Sequence, residues 1–295
     1  MAQLTVGDLI DRVYRRLHSV YSEEIDVINE GAAFATADTT LTLQYATTTL
    51  GEGDIIEVGQ ELIYVVSVSG NDATVIRGYM DTTAVQHADS SIVRINPRFS
   101  RKDISDALLA TIRSWKDLYW IDNAVVNVDA HTKTNRGFAI SGLPDDYKEI
   151  KKIRYENDDG AIVRLKSHQA WIERGFQNQT YLNMERDFYH PMQSGTVQCE
   201  IQVARPFVTN IFEETTLLQT QLHISENMEE VAVFGALWRL LAVEEGASGD
   251  PVPQAHTRER EERPPGYIQQ VALTYRGLHD ARMNEEAARL EEMYG

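Results

Sequence analysis

Cys199 stands in the run Val197-Gln198-Cys199-Glu200-Ile201-Gln202-Val203 and is the only cysteine of the chain. A thiolate in a polar, electropositive setting could act as a nucleophile, but the alternation around Cys199 predicts a strand with a buried, inert thiol. One cysteine also forbids an intramolecular disulfide and suits a reducing compartment. The eight histidines are scattered. His87 lies close to Asp89 and His190 precedes Pro191, and neither stands at ligand spacing from a second histidine or cysteine, so no metal centre is expected. Asp145-Asp146 offers two carboxylates, yet adjacent side chains point apart, and Leu143-Pro144-Asp145-Asp146 reads as a turn or a single helical turn. Asn157-Asp158-Asp159-Gly160 reads as a hairpin turn that lacks the remaining ligands of a calcium loop. Gly51-Glu52-Gly53-Asp54 lacks the third glycine and the following helix of a phosphate cradle, which leaves a plain turn. There is no His-Glu-x-x-His, no phosphate loop closing on Gly-Lys-Ser/Thr and no Gly-x-Ser-x-Gly elbow. The expectation is a protein that is not an enzyme and needs no cofactor.

Composition narrows the partners. With 28 basic and 45 acidic residues the net charge is −17, which argues against a general nucleic-acid-binding surface. It leaves room for a surface that DNA slides past, since like charges favour passage over binding. No basic-then-apolar leader opens the chain, so synthesis in the cytoplasm is expected. The longest apolar run, Val231 to Val243, contains Arg239 and falls short of the roughly 20 residues of a membrane span. Asn178-Gln179-Thr180 matches a glycosylation sequon, which has meaning only in a secreted chain.

The elements that would position these residues alternate in type. Thr5 and Asp8 form a capping pair, with Leu4 and Leu9 at the staple positions, and Leu9, Ile10, Val13, Tyr14 and Leu17 follow at helical spacing. From about Ala33 to Asn96 the pattern becomes β: Thr40–Tyr45, Asp54–Val58, Glu61–Val68, Ala73–Arg77 and Ser91–Ile95, with turns at Gly59-Gln60 and Ser69–Asp72. This predicts a small barrel or sandwich. Ser100 and Asp103 then repeat the cap, and Ile104, Leu108, Ile112, Trp115 and Tyr119 give a second helix its apolar face. The β unit therefore reads as an insertion between two packed helices, with its ends close together. Trp115, Tyr119 and Trp120 cluster at the end of that helix; core is favoured over a ligand platform. Further strands are expected at Ala124–Asp129, Phe138–Ser141, Ile150–Glu156, Ala161–Lys166 and Thr196–Ala204, with a short helix at Ser167–Gly175. Ser225 would cap a helix to about Glu245 that is apolar nearly all round, and so is buried in the core or between subunits. A Gly/Pro/charged linker follows, in which His256 to Arg263 could be an arm that orders on a neighbour. The last helix, about Tyr267 to Met293, carries Ile268, Val271, Tyr275 and Leu278 on one stripe, which thins beyond Leu278 into Glu285, Glu286, Glu291 and Glu292.

The fold class expected is α+β. The parts are an N-terminal helix (1–24), an inserted β domain (25–98), the resumed helical body (99–124), a β-rich region (125–221) and a helical C-terminal part (222–295) with a linker at 246–266.

Taken together, LTVGDLIDRVYRRL, SRKDISDALLATIRSWKDLYW, GLPDDYKEIKKIRYEN, and the pair ENMEEVAVFGALWRLLAVEEG and EAARLEEMYG resemble a head-to-tail adaptor (connector or neck) protein of tailed bacteriophages. The segments GDIIEVGQELIYVVSVSG and TVIRGYMDTTAVQHADSS resemble small β modules of phage virion proteins. The resemblance is one of arrangement over most of the chain, which is longer than the simple helical adaptors. It implies a structural protein of the virion neck, synthesised in the host cytoplasm. It further implies a homo-oligomeric ring of about twelve copies under the portal protein, closed by heterologous contacts. The next neck or tail component, a stopper or the tail, would dock below, and DNA would pass through without specific binding or membrane contact. On this reading Val231, Phe234, Trp238 and Leu241 pack the ring, while Tyr275, Leu278, Leu290, Met293 and Tyr294 dock on the portal. The competing reading is another tail or neck part, or a carbohydrate- or receptor-binding virion module built on the β insert.

Overall fold

A computed structural model of the chain describes residues 4–18, 24–29, 31, 33–45, 50–115, 118–129, 138–141, 143, 148–156, 162–166, 169–174, 180–184, 196–207, 212–247 and 267–294. The chain divides into two compact units, each assembled from separate segments: Met1–Ile112 with Ile211–Leu218 and Glu229–His279, and Arg113–Asn210 with Gln219–Met228 and Asp280–Gly295. The class is α+β.

In the first unit, α1 (Val6–His18) begins on a reciprocal cap. The Thr5 backbone N–H donates to the Asp8 carboxylate at 2.8 Å, and the Asp8 N–H donates to Thr5 Oγ1 at 3.2 Å. Two of the helix's orphan donors are thereby satisfied, and a negative charge sits at the positive end of the dipole. The stripe Leu9, Ile10, Val13, Tyr14 and Leu17 is buried as its spacing requires.

Six strands follow: β1 (Glu24–Val27), β2 (Thr40–Thr42), β3 (Ile55–Val58), β4 (Glu61–Ser69), β5 (Asp72–Ile76) and β6 (Ile92–Ile95), in the order β1-β6-β3-β4-β5-β2. The two outer strands meet just past their ends. Asn29 N–H donates to the Thr42 carbonyl at 2.9 Å and Gln44 N–H to the Val27 carbonyl at 3.0 Å, which closes the sheet on itself around Ile28, Leu41, Ile56, Ile63 and Val93. Closure removes the exposed edges that a lone sheet leaves. Glu24 lies opposite Ile95, so the first and last strands of the module pair. The sequence pattern gave no warning of β1, because Glu24-Ile25-Asp26-Val27 mixes acids into a short run. Asp26 is nevertheless buried, and its carboxylate accepts hydrogen bonds from the Val27 and Tyr45 backbone N–H groups. Gly59, at φ +60°, supplies the tight turn of the β3–β4 hairpin. Gly51 to Asp54 is a turn, with Gly51 N–H donating to the Asp54 carboxylate at 2.6 Å.

Helix α2 (Arg101–Arg113) repeats the cap, with Ser100 Oγ donating to Asp103 at 2.7 Å and Asp103 N–H donating back at 3.0 Å. It ends at Arg113, before Tyr119 and Trp120, which the apolar spacing had placed at its end. Trp120 instead opens the next strand, where ten residues alternate and pair in continuous register from Trp120↔Arg205 to Asp129↔Thr196. Ladder hydrogen bonds along that whole register outweigh a weak helical continuation.

The second unit is built on β7 (Trp120–Asp129), β8 (Phe138–Ser141), β9 (Glu149–Glu156), β10 (Ile162–Lys166), β11 (Ala170–Arg174), β12 (Thr180–Met184) and β13 (Thr196–Arg205). Their order is β10-β9-β13-β7-β8-β12-β11, and every neighbouring pair is antiparallel. One face is covered around Val126, Ile153, Leu165, Leu182, Cys199 and Ile201. The short helix expected over Ser167–Gly175 is not formed: Ala170–Arg174 is strand β11, paired with the unanticipated β12. A segment so short cannot nucleate a helix alone, whereas pairing satisfies its backbone at once.

Helix α3 is Glu226–Ala247 and α4 is Tyr267–Tyr294. Ser225 precedes α3, but its hydroxyl does not cap the helix; Oγ is buried with no hydrogen-bond partner among the described residues, and the Met228 N–H reaches the Ser225 carbonyl at 2.9 Å instead. The buried stripe of α4 leaves out Leu278, which is exposed, and continues beyond it. Ala272, His279, Glu286 and Leu290 are all buried at helical spacing, with Ile268, Tyr275 and Met283 half-buried between them. Two of its members are polar, which is why the apolar pattern fades in the sequence while the face continues. No helix among the described residues is long and apolar enough to cross a membrane.

Candidate interaction site

In the first unit α3 supplies an aromatic ladder to a set of arginines. Phe234 stacks on Tyr275 of α4 at 6.0 Å and 26°, and the Arg16 guanidinium lies 4.7 Å from the Phe234 ring centre. One turn on, the Arg239 and Arg276 guanidinium carbons lie 5.0 and 5.6 Å from the centre of the Trp238 indole. Such cation–aromatic contacts stabilise by roughly 0.5–1 kcal/mol each at exposed sites. The neighbouring ion pair Arg12–Glu229 measures 2.6 Å with Glu229 buried. Phe234 and Trp238, expected to pack a ring, therefore lie beside Tyr275, expected to dock on the portal, with Trp238 and Tyr275 half-buried. Val231 and Leu241 are fully buried within the chain and Phe234 nearly so. Leu278 is 42% exposed and Met293 49% exposed, Leu290 is buried, and Tyr294 is half-buried beneath Lys152, whose Nζ is 5.9 Å from its ring centre.

Besides Asp26, the barrel buries two carboxylates that no local pattern predicts. Glu61, at the start of β4, is fully buried and grips Arg77 in a fork, with Nε at 2.7 Å and Nη2 at 2.8 Å. His87 Nε2 is 2.8 Å from the same carboxylate, and the Gly78 and Val85 N–H groups donate to it at 3.0 and 3.1 Å. Burial alone would raise this carboxyl; Arg77, His87 and the two backbone donors overcome it and hold the pKa down at about 2. His87 is thus the partner of Glu61 and not of Asp89, and the network pins a loop whose residues Met80 and Asp81 sit at positive φ. Only a fold can bring Glu61, Arg77 and His87 together. The one cue in the sequence is a glutamate opening an otherwise apolar strand.

Glu57 on β3 joins the barrel to α2. Its carboxylate accepts the Arg101 backbone N–H at the helix start and lies 3.3 Å from Arg94, while the Arg101 side chain spans Asp11 and Glu214 at 2.7 Å each. Burial pushes the Glu57 pKa up to about 7 against the pull of Arg101 and Arg94. Because the folded value lies above the unfolded one, the associated stability is present below about pH 4.5 and is lost as pH rises through about 7. Glu57→Gln keeps an oxygen to accept the Arg101 N–H and removes the titration. We expect its melting temperature to match the parent at pH 4.5 and exceed it at pH 8, by up to roughly 3 kcal/mol of stability. Parallel melting curves for the two proteins across this range would refute the assignment.

In the second unit the three aromatic residues singled out from sequence are each occupied by partners within the chain. Trp115 is buried edge-on to Phe207 at 5.1 Å, and Tyr119 donates its hydroxyl to the Leu290 carbonyl at 3.3 Å. Trp120 stacks on His223 at 3.6 Å and 7°, lies 5.0 Å from the Arg205 guanidinium and donates Nε1–H to the Pro206 carbonyl. Arg205 is itself held by Asp122 at 2.7 Å. Burial, opposed by Asp122 and aided by Arg205, pulls the His223 pKa below the usual histidine value, which favours the neutral ring in its stack. An open cleft of about 420 Å³ beside it is lined by Gln219, His223, Ile224, Ser225, Glu226 and Asn227. Cys199 is fully buried, and burial raises its pKa to about 12, which makes it an unreactive thiol. Among the described residues no three His, Cys, Asp or Glu side chains gather as a metal site would require. Asp145-Asp146, Asn157 to Gly160, His190 and the charged run His256 to Arg263 lie outside the described residues, as do Asn178 and Gln179 of the sequon.

No protein-family model matches the chain, and no match is found among curated proteins.

Proposed function

We propose that this chain is a structural adaptor of a phage neck, which joins copies of itself into a ring between the portal protein and the next neck or tail component. The observation that carries the reading is a closed β module spliced between two helices. Glu24 of its first strand lies opposite Ile95 of its last, and the flanking helices are tied by the Asp11–Arg101 pair. Such a splice displays a module without breaking the helical body. The acidic balance of −17 is compatible with passage of DNA through a ring.

Portal docking is assigned to the exposed side chains of α4, Leu278 and Met293. The test is the light-scattering mass of the purified chain, alone and mixed with a purified phage portal protein. Truncation after Leu278 should abolish association, and Leu278→Asp combined with Met293→Asp should weaken it at least tenfold while leaving the fold intact. Unchanged portal binding by both variants would remove α4 from the contact. Failure of the parent chain to associate would favour the glycan-binding module, tested with the same intact chain.

A further inference from the structure

The seven-stranded sheet is open at both ends: among the described residues, β10 and β11 each pair on one side only. An unpaired edge is a template for another strand, and proteins that leave one bare either guard it or use it. Every neighbouring pair is antiparallel and the strand number is odd, so β10 and β11 run in the same direction. Two copies placed head to tail therefore bring β11 of one beside β10 of the next as a parallel pair, with both sheets keeping the same face to their cores. A two-fold arrangement would instead set like edges together.

The outward-facing side chains choose between the two. On β10, Ile162 is 52% exposed and Arg164 is exposed; on β11, Trp171 is 52% exposed and Glu173 is exposed. Leu165 and Ile172 turn to the core. On each strand the apolar residue and the charge are two positions apart, in the same order. The parallel register that sets Trp171 beside Ile162 therefore also sets Glu173 beside Arg164. Arg164 has a further need for a carboxylate. Its cross-strand neighbour on β9 is Arg154, a like-charged pair, and Arg154 has Glu200 at 3.6 Å whereas Arg164 has no ion-pair partner among the described residues. Pairing β10 with a second β10 would crowd these arginines further.

We propose that the two open edges are the two halves of one contact, in which β11 of one copy adds in parallel to β10 of the next and continues the sheet from subunit to subunit. In naming a second copy as the occupant, this rests on the homo-oligomeric reading above. Adjacent strands lie about 4.8 Å apart, within reach of a disulfide between facing positions. The chain carrying both Arg164→Cys and Glu173→Cys, mildly oxidised at high concentration, should give a ladder of dimers, trimers and higher species on a non-reducing gel. Each single variant should remain a monomer there, since Cys199 is buried. In sedimentation, Arg164→Glu or Glu173→Arg should each weaken association at least tenfold, and the double reversal should restore it to within about threefold. Dimers from a single-cysteine variant would overturn the proposal in favour of a two-fold edge contact. An oligomer whose double-cysteine form gives no ladder would overturn the edge contact and leave the ring standing. A chain that stays monomeric without a ladder would likewise overturn it, with the portal mixture still deciding the ring.

Discussion

Glu61→Ala will destabilise the chain by roughly 3–5 kcal/mol, the usual consequence of leaving a buried charge without its partner. Arg77 and His87 are each only 7% exposed, so neither can turn to water when the carboxylate is gone. The remaining acceptors of Arg77 are the Ala35 and Val85 carbonyls, at 2.6 and 2.5 Å, and its guanidinium already lies over the Phe34 ring at 4.0 Å. The Gly78 and Val85 N–H groups lose their acceptor as well. Glu61→Gln will not rescue the site, because an amide must aim its NH2 at a guanidinium or at the imidazole. The loss should appear in thermal melts at pH 7, and in hydrogen exchange as faster opening of β4 and β5. The pH response has the opposite sign to that of Glu57. With its folded pKa depressed to about 2, Glu61 contributes stability that is full above about pH 4.5 and is lost as pH falls through about 2. A loss below about 1 kcal/mol for Glu61→Ala would show that the network does not clamp the barrel.

Gly235→Ala comes second in expected effect, at roughly 3 kcal/mol. A Cβ at this position of α3 would lie 2.2 Å from Thr111 Cγ2 and 2.8 Å from His279 Cδ2, well inside contact distance. Thr111 cannot rotate away cheaply. It is fully buried, its hydroxyl donates to the Ala107 carbonyl at 2.8 Å, and it accepts from Arg239 Nε at 3.1 Å. Glycine therefore serves here for close approach of helices and not for its conformational freedom. Adding Thr111→Ser removes the offending methyl and keeps both hydrogen bonds, so the double variant should recover at least half of the loss in urea midpoint. Recovery of nothing would place the clash at His279, and a single variant as stable as the parent would mean the helices separate without cost.

The sequence by itself determined what depends on neighbours in the chain. Both capping pairs, Thr5 with Asp8 and Ser100 with Asp103, are local hydrogen bonds and formed as their spacing required. The hairpins at Gly59 and Gly70 followed from turn residues at φ near +60°, and the buried stripe of α1 from its period. The α+β class and a strand around Cys199 followed in the same way. Tertiary structure decided everything that rests on distant partners. It made Ala170–Arg174 a strand by giving it β12, and ended α2 at Arg113 by giving Trp120 a partner in Arg205. It carried the buried face of α4 through His279 and Glu286, where polarity hides the period. It also assembled Glu61 with Arg77 and His87, and Glu57 with Arg94 and the start of α2. Local rules cannot foresee such sites, because the free energy of a buried charge depends on which groups the fold places around it, and those groups are far apart in the chain.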